Sequence, residues 1–251
     1  MPDFRSELYR LYVTTFHGGE VPSESDLQGY WVSCDAWFLP LLNDLPRDAP
    51  ILDLGCGYGP VTLYLKRRGF TRVEGIDISE EQVRAAKNRG LEVTLADAFE
   101  FLPSRQGAYA AIIAIDVIEH FAREELLRLF PLLHQALRPD GRLILQTANG
   151  QGLFPGGNIY GDLTHLTIFT CDSLEQLLLL TGFTDIRFRE TSPASLGIRG
   201  AIRRLIWRLV KCYANFLRKV EAGKHQDIWT ENLICVSRKA RPPEPQVPSV
   251  P

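Results

Sequence analysis

The chain has 251 residues, of which 45% are hydrophobic, so it is long enough to bury one substantial core. A net charge of −2 argues against a nucleic-acid binder that relies on a broad basic surface, and we expect no binding to DNA. Five scattered cysteines without a CxxC pair argue against disulfides or structural zinc, and no apolar run approaches the roughly 20 residues of a membrane-spanning helix, so we expect a soluble cytoplasmic protein.

The predicted elements begin with a helical cap over residues 1–49, in which two helical segments are joined by the loop "HGGEVPSESD". Residues 50–190 then alternate between apolar strands and helices. The strand segments are "PILDLG", "RVEGIDI", "LEVTLAD", "YAAIIAIDV", "RLILQTA" and "DIRFRE". This alternation is typical of a parallel sheet that is covered on both faces. We predict a doubly wound, mostly parallel, seven-stranded α/β sheet whose last strand lies within residues 227–239.

Residues 191–226 interrupt this alternation with a long amphipathic helix, which we expect to rise over the ligand edge of the sheet. Its apolar positions keep to one helical face: Ile198, Ile202, Leu205, Leu209, Tyr213, Phe216 and Val220. The basic residues cluster on the remainder: Arg199, Arg203, Arg204, Arg208, Lys211, Arg218 and Lys219. The 198–220 helix fits two roles, a cap with solvated arginines or a peripheral contact with an anionic membrane at its inner face. The proline-rich tail, residues 240–251, is predicted to be disordered.

A glycine-rich turn lies between the first strand and the following helix, in "ILDLGCGYGP" from Ile51 to Pro60. Turns at this position bind nucleotide-like ligands in α/β proteins. Asp53 precedes the first glycine of the turn. A pyrophosphate bound at the turn would repel the Asp53 carboxylate. At a separation of about 5 Å and an effective dielectric constant near 20, this repulsion is on the order of 3 kcal/mol per charge pair. A ligand with an ammonium and a sulfonium group but no phosphate benefits from the same carboxylate. S-adenosylmethionine is such a ligand.

The stretch "LDLGCGYG" resembles the first motif of the class I S-adenosylmethionine-dependent methyltransferases, and further motifs match in order over roughly residues 50–190. The resemblance implies a Rossmann-like methyltransferase fold in which Asp77 holds the ribose hydroxyls and Ile78 faces the adenine. It also implies that Asp97 accepts from the exocyclic amine of the adenine. The implied cofactor contacts are Asp53, Gly55, Cys56, Gly57, Tyr58, Gly59, Asp77, Ile78, Asp97, Ala98, Phe99 and Asp116. Among these, Cys56 is also interpreted as a small residue that fills the turn, and Tyr58 and Phe99 as packing residues.

The candidate catalytic residues are His120 and His165, which follow the fourth and fifth strands. His120 leaves the fourth strand with Asp116 and Glu119 in "DVIEHF", which resembles a motif of quinone-pathway, sugar and small-RNA methyltransferases. His165 follows a glycine-rich loop, and an imidazole is suited to remove a hydroxyl proton because its pKa lies near the working pH. The structural alternatives are that His165 anchors this loop and that Glu119 and His120 brace the next helix.

A divalent-metal site is a further hypothesis for the same residues, with Glu119, His120 and His165 as ligands and Asp162 nearby. Neutral imidazoles and carboxylates suit Mg²⁺ or Mn²⁺ only moderately, and we assign no metal ligand.

The segment "GDLTHLTIF" resembles the D-x-T-H segment of methyltransferases from bacterial surface-polysaccharide and glycolipid pathways. We therefore predict O-methylation of a sugar hydroxyl, on a small-molecule, glycan or lipid-linked acceptor that is a precursor of a surface glycan or glycolipid. The main alternative acceptor is a quinone ring or another lipophilic phenol. A small-RNA 2′-O-methyltransferase and a non-catalytic cofactor-binding module are further alternatives.

Overall fold

Seven strands form one sheet within the residues that the computed structural model describes, namely Tyr9 and the ranges 12–16, 20–194 and 197–240. In chain order the strands are β1 Ile51–Leu54, β2 Val73–Asp77, β3 Val93–Leu95, β4 Tyr109–Ile115, β5 Leu137–Ala148, β6 Phe183–Glu190 and β7 Asn232–Lys239. Their order across the sheet is β3-β2-β1-β4-β5-β7-β6, and β7 pairs antiparallel with both neighbours while the other pairs are parallel. The predicted doubly wound, mostly parallel, seven-stranded sheet is confirmed.

Helices cover both faces of the sheet. In chain order the described helices are α1 Tyr12–Phe16, α2 Glu24–Trp37, α3 Pro60–Arg67, α4 Glu80–Asn88, α5 Ala98–Phe101, α6 Arg123–Ala136, α7 Gly156–Tyr160, α8 Cys171–Leu180 and α9 Gly197–Ala222. On one face, Leu52 of β1 belongs to a core that includes Leu129 of α6 and Leu174 of α8. Ile51, the residue before Leu52 in β1, belongs to a second core on the other face, which includes Trp31 of α2. Adjacent positions of β1 thus point to opposite faces, as the two-residue period of a strand requires.

The N-terminal helix α1 docks beside the carboxyl ends of the central strands. The Glu81 side chain, in the first turn of α4, accepts hydrogen bonds from the backbone N–H groups of Val13 at 3.0 Å and Thr14 at 3.3 Å. These contacts satisfy N–H groups that α1 cannot pair internally. Two tyrosines, Tyr9 and Tyr12, reach the edge of the sheet as a result.

The connection from α6 to β5 contains the segment "RPDG", whose composition is typical of a turn. The helix contains Pro131 and ends at Ala136, and β5 begins directly at Leu137. Asp140 adopts a φ of 62°, and pairing with β4 shifts register opposite this segment. The turn residues therefore act as an irregularity within β5 instead of separating the helix from the strand.

The predicted helical insertion is present as α9, a helix of 26 residues between β6 and β7. Of the helices in the described part of the chain, none has the length and apolar content needed to cross a bilayer. The proline-rich tail that the sequence predicts to be disordered lies outside the described residues from position 241 onward.

Candidate active site

The glycine turn after β1 has a backbone that only glycine adopts readily. Gly55, Gly57 and Gly59 have φ values of 66°, 55° and 82°. A Cβ at Gly55 would lie 2.5 Å from Cγ2 of Val117, and one at Gly59 would lie 2.2 Å from Cδ1 of Leu91. The turn is thus both left-handed and closely packed, and it leaves its backbone exposed toward a pocket at the carboxyl ends of β1, β2 and β4.

Eight of the candidate residues line this pocket. They are Gly55, Gly57, Asp77, Ile78, Asp97, Ala98, Asp116 and His120. They come from the turn, from the ends of β2 and β4 and from the start of α5, which meet at one edge because the strands are parallel. Tyr9 and Tyr12 close the pocket from the N-terminal side.

Asp77 joins the end of β2 to the glycine turn. Its Oδ2 accepts the backbone N–H of Gly57 at 2.8 Å, and its Oδ1 accepts the N–H of Ser79 at 2.8 Å. Burial raises the pKa of this carboxyl, and the two N–H groups act in the opposite direction. Each oxygen retains a further lone pair for a hydroxyl donor.

Two other pocket carboxylates are also fixed by protein donors. Oδ1 of Asp97 accepts the N–H of Phe99 at 2.7 Å and so caps α5. Both oxygens of Asp116 lie 3.1 Å from Nε2 of Gln146, and loss of hydration raises the Asp116 pKa to about 6. These contacts fix the orientation of both side chains before a ligand binds.

Asp53 and Cys56 lie behind the turn instead of lining the pocket. Asp53 is only 2% exposed, and its Oδ2 accepts the Thr62 hydroxyl at 2.6 Å. Burial raises the Asp53 pKa to about 7. Cys56 is buried so close to β2 that a Cβ at Gly75 would lie 2.7 Å from its Sγ, and burial raises the pKa of its thiol.

Gly59, Tyr58, Phe99 and His165 also lie outside the pocket lining. Gly59 is the N-cap of α3, and the Arg89 guanidinium lies 5.1 Å from the centre of the Tyr58 ring. The Phe99 ring packs edge-on against Phe121 at a centroid distance of 5.9 Å. The half-buried His165 lies next to a lining residue, with its ring 4.9 Å from that of His120.

A hydrogen-bonded chain links His120 to the loop after β5. Nδ1 of His120 lies 2.8 Å from the Thr164 hydroxyl, which lies 2.6 Å from Oδ1 of Asp162. Oδ2 of Asp162 accepts the Tyr12 hydroxyl at 2.7 Å. Burial lowers the His120 pKa to about 4, so the imidazole is neutral at physiological pH. The sequence did not indicate Tyr9 or Tyr12, because nothing in it shows where the N-terminal helix docks.

His165 has a defined tautomer. Its Nδ1 lies 3.1 Å from the carbonyl oxygen of Ile159, which can only accept, so Nδ1 carries the hydrogen. In the neutral imidazole, Nε2 is then left with a lone pair. This arrangement gives the ring both an anchor on the loop and a free basic nitrogen.

Glu119 does not join the metal-ligand set that the sequence suggested. Its side chain is 1% exposed, and burial raises its pKa to about 8, which disfavours the ionised ligand form. Its backbone carbonyl accepts the N–H groups of Leu166 at 2.8 Å and Thr167 at 3.0 Å, so Glu119 braces the loop that contains His165. The donor atoms that do lie together, within 4.8 Å of one another, belong to His120, Asp162 and His165. Each of these three side chains is already hydrogen-bonded within the protein.

Comparison with known proteins identifies the family. Residues 27–187 match the family model described as "Methyltransferase domain". The chain belongs to this family. Membership of this family supports the class I methyltransferase assignment that was made from the sequence motifs.

The match between this methyltransferase and its curated relatives covers only part of each relative's length. Methyltransferase GfsG of Streptomyces halstedii is 32% identical over 155 residues, which make up 57% of this chain and 54% of that protein. The probable tRNA methyltransferase 9B of Mus musculus is 32% identical over 142 residues, which make up 55% of this chain and 30% of that protein. The methyltransferase therefore spans about half or less of these relatives.

Solved structures share the fold of this methyltransferase at low sequence identity. A SAM-dependent methyltransferase from Archaeoglobus fulgidus superimposes with a TM-score of 0.63 at 19% identity, over 94% of this chain and 100% of that one. Phosphoethanolamine N-methyltransferase 2 from Haemonchus contortus, in complex with S-adenosyl-L-methionine, gives a TM-score of 0.58 at 16% identity, over 93% of this chain and 60% of that one.

The lining of the pocket fits S-adenosylmethionine. Gly55 and Gly57 line the pocket without side chains, so a ligand can approach their backbone closely. Asp77 and Asp97 offer acceptors for ribose hydroxyls and an amine, and Ile78 provides an exposed apolar surface for the adenine. Asp116 places a carboxylate on the wall, where it would favour an ammonium group.

Proposed function

We propose that this methyltransferase methylates a hydroxyl oxygen, and that the acceptor is a sugar hydroxyl of a surface-glycan or glycolipid precursor. The observation that supports O-methylation is the contact between His120, on the pocket wall, and the half-buried His165 beside it, with ring centroids 4.9 Å apart. A hydroxyl must lose its proton as its oxygen takes the methyl group. Two imidazoles beside the pocket provide a site for that proton.

The roles of the two histidines follow from their hydrogen bonds. The bound cofactor supplies an electrophilic methyl group. His165 donates Nδ1–H to the Ile159 carbonyl and keeps the lone pair on Nε2, so we assign it as the base that takes the hydroxyl proton. His120 is held by Thr164 and orients the acceptor beside His165. Most of the acceleration comes from holding the reactants in line, and the base adds about 10²–10⁴-fold.

The nature of the acceptor is inferred from the loop that leads to His165. The segment containing Asp162, Thr164 and His165 resembles the D-x-T-H segment of surface-polysaccharide and glycolipid methyltransferases. The same loop exposes three large apolar side chains, Phe154, Tyr160 and Leu163, beside its polar residues. A mixed polar and apolar loop suits a sugar that is attached to a lipid.

Transfer RNA is the second candidate acceptor, because one relative is named a probable tRNA methyltransferase and another a tRNA (carboxymethyluridine(34)-5-O)-methyltransferase. The net charge of −2 argues against it, since RNA binding depends strongly on phosphate contacts.

Incubation with methyl-labelled S-adenosylmethionine tests the proposal. Separate reactions receive an envelope glycolipid fraction, quinone precursors or total tRNA, and label in each pool is counted after extraction. We expect label in the glycolipid pool with the wild-type protein and a large loss with His165→Ala. Label confined to tRNA or to the quinone fraction would overturn the acceptor assignment. A matched control is His225→Ala, because His225 is exposed and is not among the residues that line the pocket.

A further inference from the structure

The long helix α9 presents a broad apolar face to solvent. Its exposed large apolar side chains are Ile198, Ile202, Leu205, Ile206, Leu209, Val210, Tyr213, Phe216, Leu217 and Val220. With about 100° of rotation per residue, these positions fall within an arc of about 140° on the helix. Tyr213 and Val220, near the middle of the arc, are 65% and 72% exposed. A soluble helix normally turns such a face toward the core.

The opposite side of α9 holds it against the protein. The two buried residues of the helix are small, Gly200 and Ala214, and Trp207 is half-buried on the same side. Nζ of Lys211 donates to Oε2 of Glu190 at 2.6 Å, which ties the helix to the end of β6. These contacts fix which face points outward, so the exposure of the apolar arc does not result from a free rotation of the helix.

A second set of contacts supports the same orientation. Asn215 donates its side-chain N–H to the carbonyl of Gln226 at 2.9 Å, and its Oδ1 accepts the Gln226 N–H at 2.8 Å. None of the described residues of α9 lines the cofactor pocket. Contact with this pocket therefore does not account for the exposed apolar arc.

Cations border the apolar arc on both sides. Arg199 and Arg203 lie along one border, and Arg208 and Lys219 lie along the other. The helix contains seven Lys and Arg residues and a single carboxylate, within a chain of net charge −2. This combination of a wide apolar face with cationic borders is characteristic of helices that lie in the interface of an anionic bilayer.

We propose that α9 is a membrane-surface anchor that inserts its apolar arc into the headgroup region of an anionic bilayer. A second copy of the chain is a less suitable partner, because packing two such faces together would bring the cationic borders of both helices close to each other. Anionic lipid headgroups instead pair with these borders. The anchor extends beyond the proposed function, because binding to the lipid surface requires neither catalysis nor an identified acceptor.

Co-sedimentation of the full chain with vesicles tests the anchor. One vesicle set contains phosphatidylcholine alone, and the other contains phosphatidylcholine with about a third phosphatidylglycerol. We expect wild-type protein to sediment with the anionic vesicles and to be released by high salt, because screening weakens headgroup contacts. The double variant Leu205→Glu/Leu209→Glu removes apolar contacts and should lower partitioning by more than about tenfold. The double variant Arg199→Glu/Arg208→Glu should lower it by about tenfold or more on the anionic vesicles.

The matched control is Leu180→Glu, because Leu180 is a comparably exposed leucine on α8. Circular dichroism and cofactor calorimetry establish that each variant is folded, so a loss of vesicle binding is assigned to the surface. Failure of the wild-type protein to bind anionic vesicles would overturn the anchor, and so would equal loss in Leu180→Glu. A wild-type dimer that becomes monomeric in Leu205→Glu/Leu209→Glu would assign the face to a second copy instead.

Discussion

Nδ1 of His120 lies 2.8 Å from the hydroxyl of Thr164, and that hydroxyl lies 2.6 Å from Oδ1 of Asp162. The Thr164 hydroxyl has one hydrogen for these two acceptors. The chain is fully hydrogen-bonded when His120 carries hydrogens on both ring nitrogens, one donated to Thr164 and one to the carbonyl of Asp116 at 3.1 Å. In the neutral form that burial favours, one of the two ring nitrogens lacks a hydrogen, and the contact made by the other nitrogen holds the ring.

Replacement of Thr164 by valine tests this chain while keeping the shape of the side chain. We expect kcat to fall by about tenfold, because one hydrogen bond of roughly 1–1.5 kcal/mol that orients His120 is lost. Cofactor affinity, measured by calorimetry, should change little. The control is Thr184→Val, at an exposed position of β6. Unchanged kcat in Thr164→Val would show that the chain does not position His120.

Replacement of His165 by alanine separates a base from a loop anchor. As a base, His165 contributes about 10²–10⁴-fold to kcat, and cofactor affinity should remain nearly unchanged in the variant. If the ring only anchors the loop through Ile159, the variant should raise KM for the acceptor and leave kcat nearly unchanged.

Replacement of Asp77 by alanine tests the cofactor pocket. The carboxylate holds Gly57 and Ser79 and is placed to accept ribose hydroxyls, so we expect the cofactor Kd to rise by about tenfold or more, as for the loss of a charge-assisted hydrogen bond of about 1.5–3 kcal/mol. Calorimetry with S-adenosylmethionine and with its demethylated product measures the effect. Glu80→Gln, at an exposed carboxylate three residues away, is the control. Equal affinity in Asp77→Ala and the wild type would contradict this assignment.

The buried Asp53 predicts a pH dependence of cofactor binding. Its pKa in the folded protein is raised to about 7, so below that pH the carboxyl is mostly neutral. A cationic cofactor favours the ionised form of Asp53, so binding of the cofactor should release a proton from this carboxyl. The affinity for the cofactor should therefore weaken as the pH falls below about 7. For one proton, the loss of affinity is at most about tenfold per pH unit. Asp53→Asn keeps an acceptor for Thr62 and should lack this step. Calorimetry of cofactor binding in buffers that differ in ionisation enthalpy measures the number of protons released on binding.

Removal of divalent metal should leave the activity unchanged. His120, Asp162 and His165 bring their donor atoms within 4.8 Å, but each is engaged by a protein partner, and the buried Glu119 adds no ligand. Assays after treatment with a chelator, and after addition of Mg²⁺ or Mn²⁺, measure this. Loss of activity with the chelator and its recovery with Mn²⁺ would assign these three residues to a metal site.

The sheet and most of the cofactor pocket were predictable from the sequence, because both depend on local patterns. Strand and helix periods fix which faces are buried, and parallel strands bring Gly55, Asp77 and Asp97 to one edge. The sequence did not indicate that Asp53 faces Thr62 behind the turn, because the direction of a side chain next to a left-handed glycine depends on tertiary packing.

The acceptor side of the site depends on contacts between distant parts of the chain. Tyr12 reaches Asp162 across 150 positions, and its role has no local signal. The acidic segment "DVIEHF" made Glu119 a candidate metal ligand. In the structure, Glu119 lies in the short helical turn Ile118–His120, and its side chain is buried. The amphipathic pattern of α9 was visible in the sequence, whereas the outward direction of its apolar face required the contacts of Lys211 and Asn215.

The most direct test of O-methylation is mass spectrometry of the envelope glycolipid pool after reaction with trideuteromethyl-labelled S-adenosylmethionine. We expect a single trideuteromethyl ether on a sugar oxygen, stable to mild base, formed by the wild-type protein and nearly absent with His165→Ala. A label found on nitrogen or carbon, or in tRNA instead of the glycolipid, would contradict the account. So would equal amounts of the labelled ether with the wild-type protein and with His165→Ala.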